Sequence, residues 1–391
     1  MKAVSRPLDR EVDLNDIARG DGYLFVRDGV GVAGRGVAAR IPIDEVAEFL
    51  SAIEHDDQAN GARPLAIGVV PFKPGSPCEL VVPAMTVVKA VDGRRWVTTI
   101  DDTPADLDTP NRPEPRAQSY TTEPLTPVKH YLRAVAAARD AVRDGRLTKA
   151  VIAREIRVSS DEPIDIHAVL VRLRLSFGSS YRYSIDGFVG AMPEQLVAVQ
   201  GNTVTAHPFA GTTPRTGDPE TDRKAAAALL ASAKNQTEHR VVIDMIHDTL
   251  LPWCSYLDWE PEPSIVAVAN VQHLGTRMEG HLSDPRPNVL ELVRTLAPTP
   301  AVGGFPRAEA LALIEEVEGF ERGRYAGSVG WVDSAGDGTW AVALRCAEFS
   351  SDRRSARLVA GGGIVADSEP LAELAETQAK FQAMLSAIVR P

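Results

Sequence analysis

The chain of 391 residues, 44% hydrophobic and 24% charged, is long enough to bury one large core or two modest ones, and its composition is that of an ordinary globular protein. Its formal net charge of −11 repels nucleic acid and anionic membranes at long range, so neither is expected as a partner. The same field repels small anionic substrates, so an anion site must bring local cations, backbone N–H groups or a bound metal.

In chain order, Met1–Asp16 has charges but no apolar segment behind them, which argues against a secretory leader, and no apolar run reaches bilayer length. Cys78, Cys254 and Cys346 are widely spaced without CxxC and read as free thiols of a cytoplasmic protein. Tyr23–Val26 and Ala66–Val70 read as strands. Gly29, Gly31 and Gly34 fit GxGxxG, but the following Arg35–Pro42 is a poor helix, so a glycine-rich turn between two strands is expected there rather than a dinucleotide site. The Pro-, Asp- and Thr-rich segment Asp101–Pro127 is expected to be a surface linker or long loop, separating an N-terminal part, 1–125, from 126–391. Beyond it the patterns predict a helix Val128–Asp144 closed by Gly145, a strand Lys149–Val158, and one long helix from Asp222 to Trp253. Ser328–Asp333 and Trp340–Phe349 read as a hairpin through Gly336–Gly338, followed by a strand ending in Ala360–Ile364. A last helix starts near Ser368–Pro370 and runs to the C-terminus. This mixed order of strands and helices, without repeats, argues for an α+β or mixed α/β architecture.

Chemistry-bearing residues concentrate after residue 126. On the last helix Glu373, Glu376 and Lys380 share one face, a pattern that alone reads as a solvated charged stripe. Just upstream, however, Gly361, Gly362 and Gly363 end a strand; such a run exposes N–H groups that can wrap an anion, a tight bend being the plainer alternative. The helix N-terminus beyond adds a dipole that favours negative charge. Glu238 is a second acid on a largely apolar helix, and magnesium takes oxygen ligands, so Glu238 and Glu376 would make a site if they met. Strand alternation puts Arg345 on a face with Ala341, Ala343 and Ala347, where it suits a bidentate grip on a carboxylate or, equally, pairing with a structural acid. Lys149 heads an apolar strand and is either desolvated into a base or solvent-facing. Glu194 lies between Pro193 and an apolar stretch, where burial would keep it protonated as an acid. No HxH or HExxH spacing makes His207 or His273 a zinc ligand, and His273 reads as a residue that orients its neighbours.

Taken as an ordered set, these segments resemble the chorismate-utilising enzymes: isochorismate, salicylate, anthranilate and aminodeoxychorismate synthases. The resemblance rests on Lys149–Arg154, Gly190–Glu194, Pro208–Thr212, Ser232–Lys234 with Glu238–His239, Asn270–Leu274, Pro298–Gly304, Arg322–Gly327, Leu344–Arg345, Ala360–Ile364 and Glu373–Lys380. It implies an α+β fold of two facing, antiparallel-rich sheets flanked by helices, with the N-terminal part a divergent portion of the same fold. It implies that Lys149 is the base activating a water for attack at C2 of chorismate, and Glu194 the acid that protonates the departing C4 hydroxyl. For these roles the lysine must be neutral and the glutamate protonated near pH 7. Glu238 and Glu376 would hold Mg²⁺, supported by Glu373. Gly211, Thr212, His273, Tyr325, Arg345, Gly361, Gly362, Gly363 and Lys380 would bind the substrate.

Among the branches, lysine at 149, where ammonia-using relatives carry Gln, implies water as nucleophile and no glutaminase subunit; a monomer is expected. Ala210 stands where aminodeoxychorismate synthases carry lysine. Ala301, within Pro298–Val302, resembles isochorismate synthases, where salicylate synthases tend to have Thr, so isochorismate synthase is the expectation and salicylate synthase the alternative. Asn235 departs from relatives with an acid there.

Overall fold

The computed structural model describes residues 1–110, 118–268 and 271–390. Among these, strands form sheets of thirteen, nine and three members, with helices against them, an α+β architecture. Pairing is antiparallel except for Lys2–Pro7 beside Glu54–Asp57. The two large sheets face each other across one core: Phe25, Val32 and Tyr183 from one meet Ile67, Val329 and Trp340 from the other. A second core lies on the outer face of the thirteen-stranded sheet, where Ile17, Leu170 and Met384 bring helices onto it. Among the described residues no helix is long and apolar enough to cross a membrane, and the three cysteines are free.

The N-terminal third is built into both large sheets. Tyr23–Arg27 pairs with Tyr181–Ile185, and Leu65–Val70 pairs with Ser328–Asp333. The GxGxxG match resolves into a turn at Asp28 and Gly29, both at positive φ, with Gly31 and Gly34 inside the following strand Val30–Arg35.

Three expectations need correction. Within the proposed linker, residues 101–110 carry no regular structure and 111–117 fall outside the described residues, but Tyr120–Pro124 is an edge strand paired with Lys149–Ser160. Tyr and Thr favour extended backbone, and an edge tolerates the proline. The helix from Asp222 to Trp253 is two helices, Pro219–Ala231 and Ala233–Leu250, with a 3₁₀ turn after them. The break is Ser232, whose ψ of 106° leaves the helix while its hydroxyl accepts from Asn235 N–H. An N-cap serine satisfies the new helix start without disturbing apolar spacing on either side, so periodicity could not reveal it.

The third correction bears on the site. Trp340–Phe349 is not one strand: Gly338–Val342 belongs to the nine-stranded sheet and Cys346–Phe349 to the thirteen-stranded one. Arg345 lies in the crossing between them with φ 51°, so it shares no strand face with Ala341 and Ala347. A second crossing runs beside it. Phe188–Met192 is in the large sheet, Gln195–Gln200 in the smaller, and Pro193–Glu194 connects them. The crossings are tied together: Val342 N–H donates to Glu194 carbonyl (3.2 Å) and Ala191 N–H to Arg345 carbonyl (3.2 Å). Acid and guanidinium thus come from backbone where both sheets are left at once.

Candidate active site

The crossings open onto a cavity of 270 Å³ between the sheets, the helix Ala233–Leu250 and the C-terminal helix Pro370–Val389. Every residue to which the resemblance gave a catalytic, substrate-binding or metal role lines it except Gly362, and His207 lies outside it. The expected segment Asn270–Leu274 lies partly outside the described residues, which exclude Asn270.

The glycine strand explains how side chains from opposite sides converge. In Ser355–Ile364, Gly363 pairs with Val151 and Gly362 with Ile152, so the two glycines point to opposite faces. A Cβ on Gly363 would sit 2.6 Å from Lys149 Cε, and one on Gly362 would sit 2.6 Å from Glu373 Oε2. The strand is bare on both faces, so lysine closes on it from one side and acids of the C-terminal helix from the other. This is a steric role for Gly362, in place of the substrate contact expected of it.

Lys149, 6% exposed, donates to Glu238 Oε1 at 2.5 Å. Glu194 is 3% exposed, and burial pushes its carboxyl up to about 8, against the pull of the Phe209 N–H and the charge of Lys149. It is held protonated near neutrality. Lys380 donates to Glu376 Oε1 at 2.5 Å and to the Gly361 carbonyl at 2.8 Å. Burial favours the neutral form of both partners, but at Glu376 the Lys380 ammonium, with Arg345 and Lys149, outweighs it and leaves the carboxyl below its ordinary range. At Lys380 burial prevails and lowers the ammonium.

His273 Nδ1 lies 3.0 Å from Thr212 Oγ1, and its ring stacks on Phe209 at 5.8 Å between centroids. Burial, with Arg345 and Lys380 nearby, drops its pKa to about 3, so it is a neutral orienting group. Gly211 has φ 73°, and a Cβ there would press on Asn235 Oδ1 at 3.2 Å. Tyr325 is buried beside Arg345, which makes no ion pair among the described residues and is free to meet an incoming carboxylate. Lys234 and Asn235 also line the cavity, and Ser368 Oγ donates to Glu373 Oε1 at 2.8 Å. The sequence reading gave Lys234 and Ser368 no role in the site and noted Asn235 only as a departure from relatives with an acid at that position. The position of Ser368 two residues before Pro370, at the helix entry, was the available signal.

No three His, Cys, Asp or Glu side chains among the described residues form a ready-made metal cluster. The donor set nevertheless suits magnesium: carboxylate oxygens of Glu238, Glu376 and Glu373, from two helices, around one cavity. Among the described residues Glu373 Oε2 is buried without a hydrogen-bond partner, and its carboxyl is raised by burial, as expected of an acceptor short of a cation.

The model of a chorismate binding enzyme matches residues 52–389. The MenF protein of Mycobacterium tuberculosis, provisionally named an isochorismate synthase, is 41% identical over 342 residues, which cover 84% of this chain and 87% of that protein. The isochorismate synthase DhbC of Bacillus subtilis is 37% identical over 348 residues, 86% of this chain and 84% of its own. The solved structure of the menaquinone-specific isochorismate synthase MenF of Escherichia coli superposes with a TM-score of 0.86 over 100% of this chain and 94% of that one; at 23% identity it speaks to the fold alone.

Proposed function

This chain belongs to the chorismate-binding enzymes, and on that premise we propose that it is an isochorismate synthase, an isomerase that exchanges the C4 hydroxyl of chorismate for one at C2. The observation that carries the reading is a buried carboxylic acid, Glu194, in the same cavity as a lysine, Lys149, with Lys380 and with Arg345, which makes no ion pair among the described residues.

Lys149, as the free amine, takes a proton from the water that forms the new C2–O bond. Both conjugated ring double bonds shift by one position, C1=C2 to C1=C6 and C5=C6 to C4=C5; the C4–O bond breaks, and Glu194 passes its proton to the departing oxygen, which leaves as water. One water enters and one leaves, so the product is an isomer, and the enzyme ends with one proton more on Lys149 and one fewer on Glu194. A buried acid with a pKa of about 8 suits this task, because a proton is present at neutral pH and readily given up. Arg345 and Lys380 grip the substrate's carboxylates, with the Gly361–Gly363 backbone leaving room for them. They supply the local positive charge that a protein of net charge −11 needs to accept a dianion. Thr212, oriented by neutral His273, and Tyr325 fix the ring.

Glu238 and Glu376, with Glu373 behind them, would hold Mg²⁺, which supplies charge neutralisation for a substrate carboxylate when bound. With water as nucleophile no glutaminase subunit is invoked. Incubating the purified chain with chorismate, with and without EDTA, and identifying the product by chromatography tests the reading. Isochorismate, suppressed by EDTA and restored by Mg²⁺, is the expected result. Salicylate with pyruvate would instead make it a salicylate synthase, and unchanged chorismate with Mg²⁺ present would overturn the activity.

A further inference from the structure

Arg154 lies five residues beyond Lys149 on the strand Lys149–Ser160, is 3% exposed, and does not line the cavity. Among the described residues it has no carboxylate within ion-pair distance. Its Nε donates to Thr377 Oγ1 at 2.8 Å and its Nη2 to Gln378 Oε1 at 3.0 Å. The guanidinium also lies 4.9 Å from the ring centre of Phe381 and 5.8 Å from that of Tyr131. A buried cation without a counterion is costly, and an apolar side chain would fill the space without that cost.

The contacts show what the cation secures. Thr377 and Gln378 directly follow Glu376, and Phe381 directly follows Lys380. Arg154 thus grips the back of the helix Pro370–Val389 at three positions next to residues that face the cavity. Its own backbone partner is Ala360, immediately before the glycine run. A planar fork reaching two acceptors on consecutive residues fixes both the rotation and the depth of a helix, which an apolar contact does not. Rotation matters here because one residue corresponds to about 100° around the helix, enough to turn Glu376 away from the cavity.

We propose that Arg154 is a positioning residue: it locks the C-terminal helix against the central strand so that Glu373, Glu376 and Lys380 meet the bare glycine strand. The proposal rests on the reading of the cavity given above. It deepens that reading with a residue that touches neither substrate nor metal.

The test compares wild type, Arg154→Lys, Arg154→Gln and Thr377→Val, with Arg182→Gln as control. Arg182 is also buried, bonds Asn15 Oδ1 at 2.9 Å, and lies outside the cavity. Three quantities are measured on the full chain: Mg²⁺ affinity by calorimetry without chorismate, KM and kcat for chorismate, and the melting temperature. Arg154→Lys keeps the charge but loses the fork, and is expected to weaken Mg²⁺ binding and raise KM at least tenfold, with a smaller change in kcat. Arg154→Gln is expected to do so more strongly, and Thr377→Val by about threefold. Arg182→Gln is expected to lower the melting temperature while leaving both constants unchanged. A folded Arg154→Lys with wild-type Mg²⁺ affinity and KM overturns the proposal, as do equal changes in Arg182→Gln. If neither Arg154 variant folds, unchanged constants in Thr377→Val overturn it. Wild-type turnover tests the function by itself, so an active, metal-binding wild type with unaffected variants sinks the Arg154 proposal alone.

Discussion

Lys149 Nζ lies 2.5 Å from Glu238 Oε1, so the proposed base is ion-paired with a proposed metal ligand from a separate helix. The contact holds the side-chain nitrogen of Lys149 against a carboxylate oxygen inside the cavity that both residues line. It also places the amine where it touches the glycine strand, with Gly363 as the residue that makes room.

Replacing Lys149 by Ala should reduce kcat by about 10²–10⁴-fold, the usual contribution of a positioned general base. Chorismate affinity should change far less, because Arg345 and Lys380 remain. Binding by calorimetry beside steady-state kinetics separates the two, and a variant with near-normal kcat would remove Lys149 from the chemistry.

Glu194 carries the pH dependence. Its carboxyl titrates at about 8, and it must be protonated to act, so kcat/KM of the wild type should fall about tenfold per unit above pH 8. Glu194→Gln should lose turnover and with it that alkaline limb. A wild-type profile flat from pH 7 to 10 would count against Glu194 as the acid.

Stability should follow the same group. Glu194 binds its proton more tightly folded than unfolded, so the stabilisation is complete below the ordinary value of 4.5 and lost as pH rises to about 8. The difference amounts to roughly 5 kcal/mol. Relative to wild type, Glu194→Gln should therefore gain stability between pH 5 and 8. Denaturant melts at both pH values check this, and parallel curves for the two proteins would contradict a buried, protonated Glu194.

The two bare faces of the glycine strand predict separable defects. Gly362→Ala drives a methyl group into Glu373 Oε2 and should weaken Mg²⁺ binding, whereas Gly363→Ala meets Lys149 Cε and should lower kcat. Both losses should reach tenfold or more, because in each case a carbon at 2.6 Å forces the functional side chain to move. Metal titration and kinetics on both variants read this, and identical effects would show that the faces are not distinct.

Most of the site was legible because its residues occur in short segments whose order along the chain resembles the chorismate-utilising enzymes, although each segment taken alone also had a plain structural reading. Lys149, Glu194, Glu238 and Glu376 were identified on that ground, and all line the same cavity. What could not be read was the route by which they meet. Periodicity treats Trp340–Phe349 as one strand because its small and apolar residues suit either sheet, and nothing local marks the crossing at Ala343–Arg345 or the positive φ of Arg345. The break at Ser232 was hidden for a similar reason, since a serine N-cap leaves the apolar register intact. Arg154 looked like any strand arginine, because its partners lie more than two hundred residues away in sequence.

The central claim is that water, activated by Lys149, supplies the new hydroxyl while Glu194 discharges the old one. Turnover of chorismate in H₂¹⁸O, followed by mass spectrometry of the isochorismate formed, tests it directly. One ¹⁸O per product molecule, at the C2 hydroxyl, is the predicted result; isochorismate without label would mean that the hydroxyl migrates within the substrate and would contradict both roles.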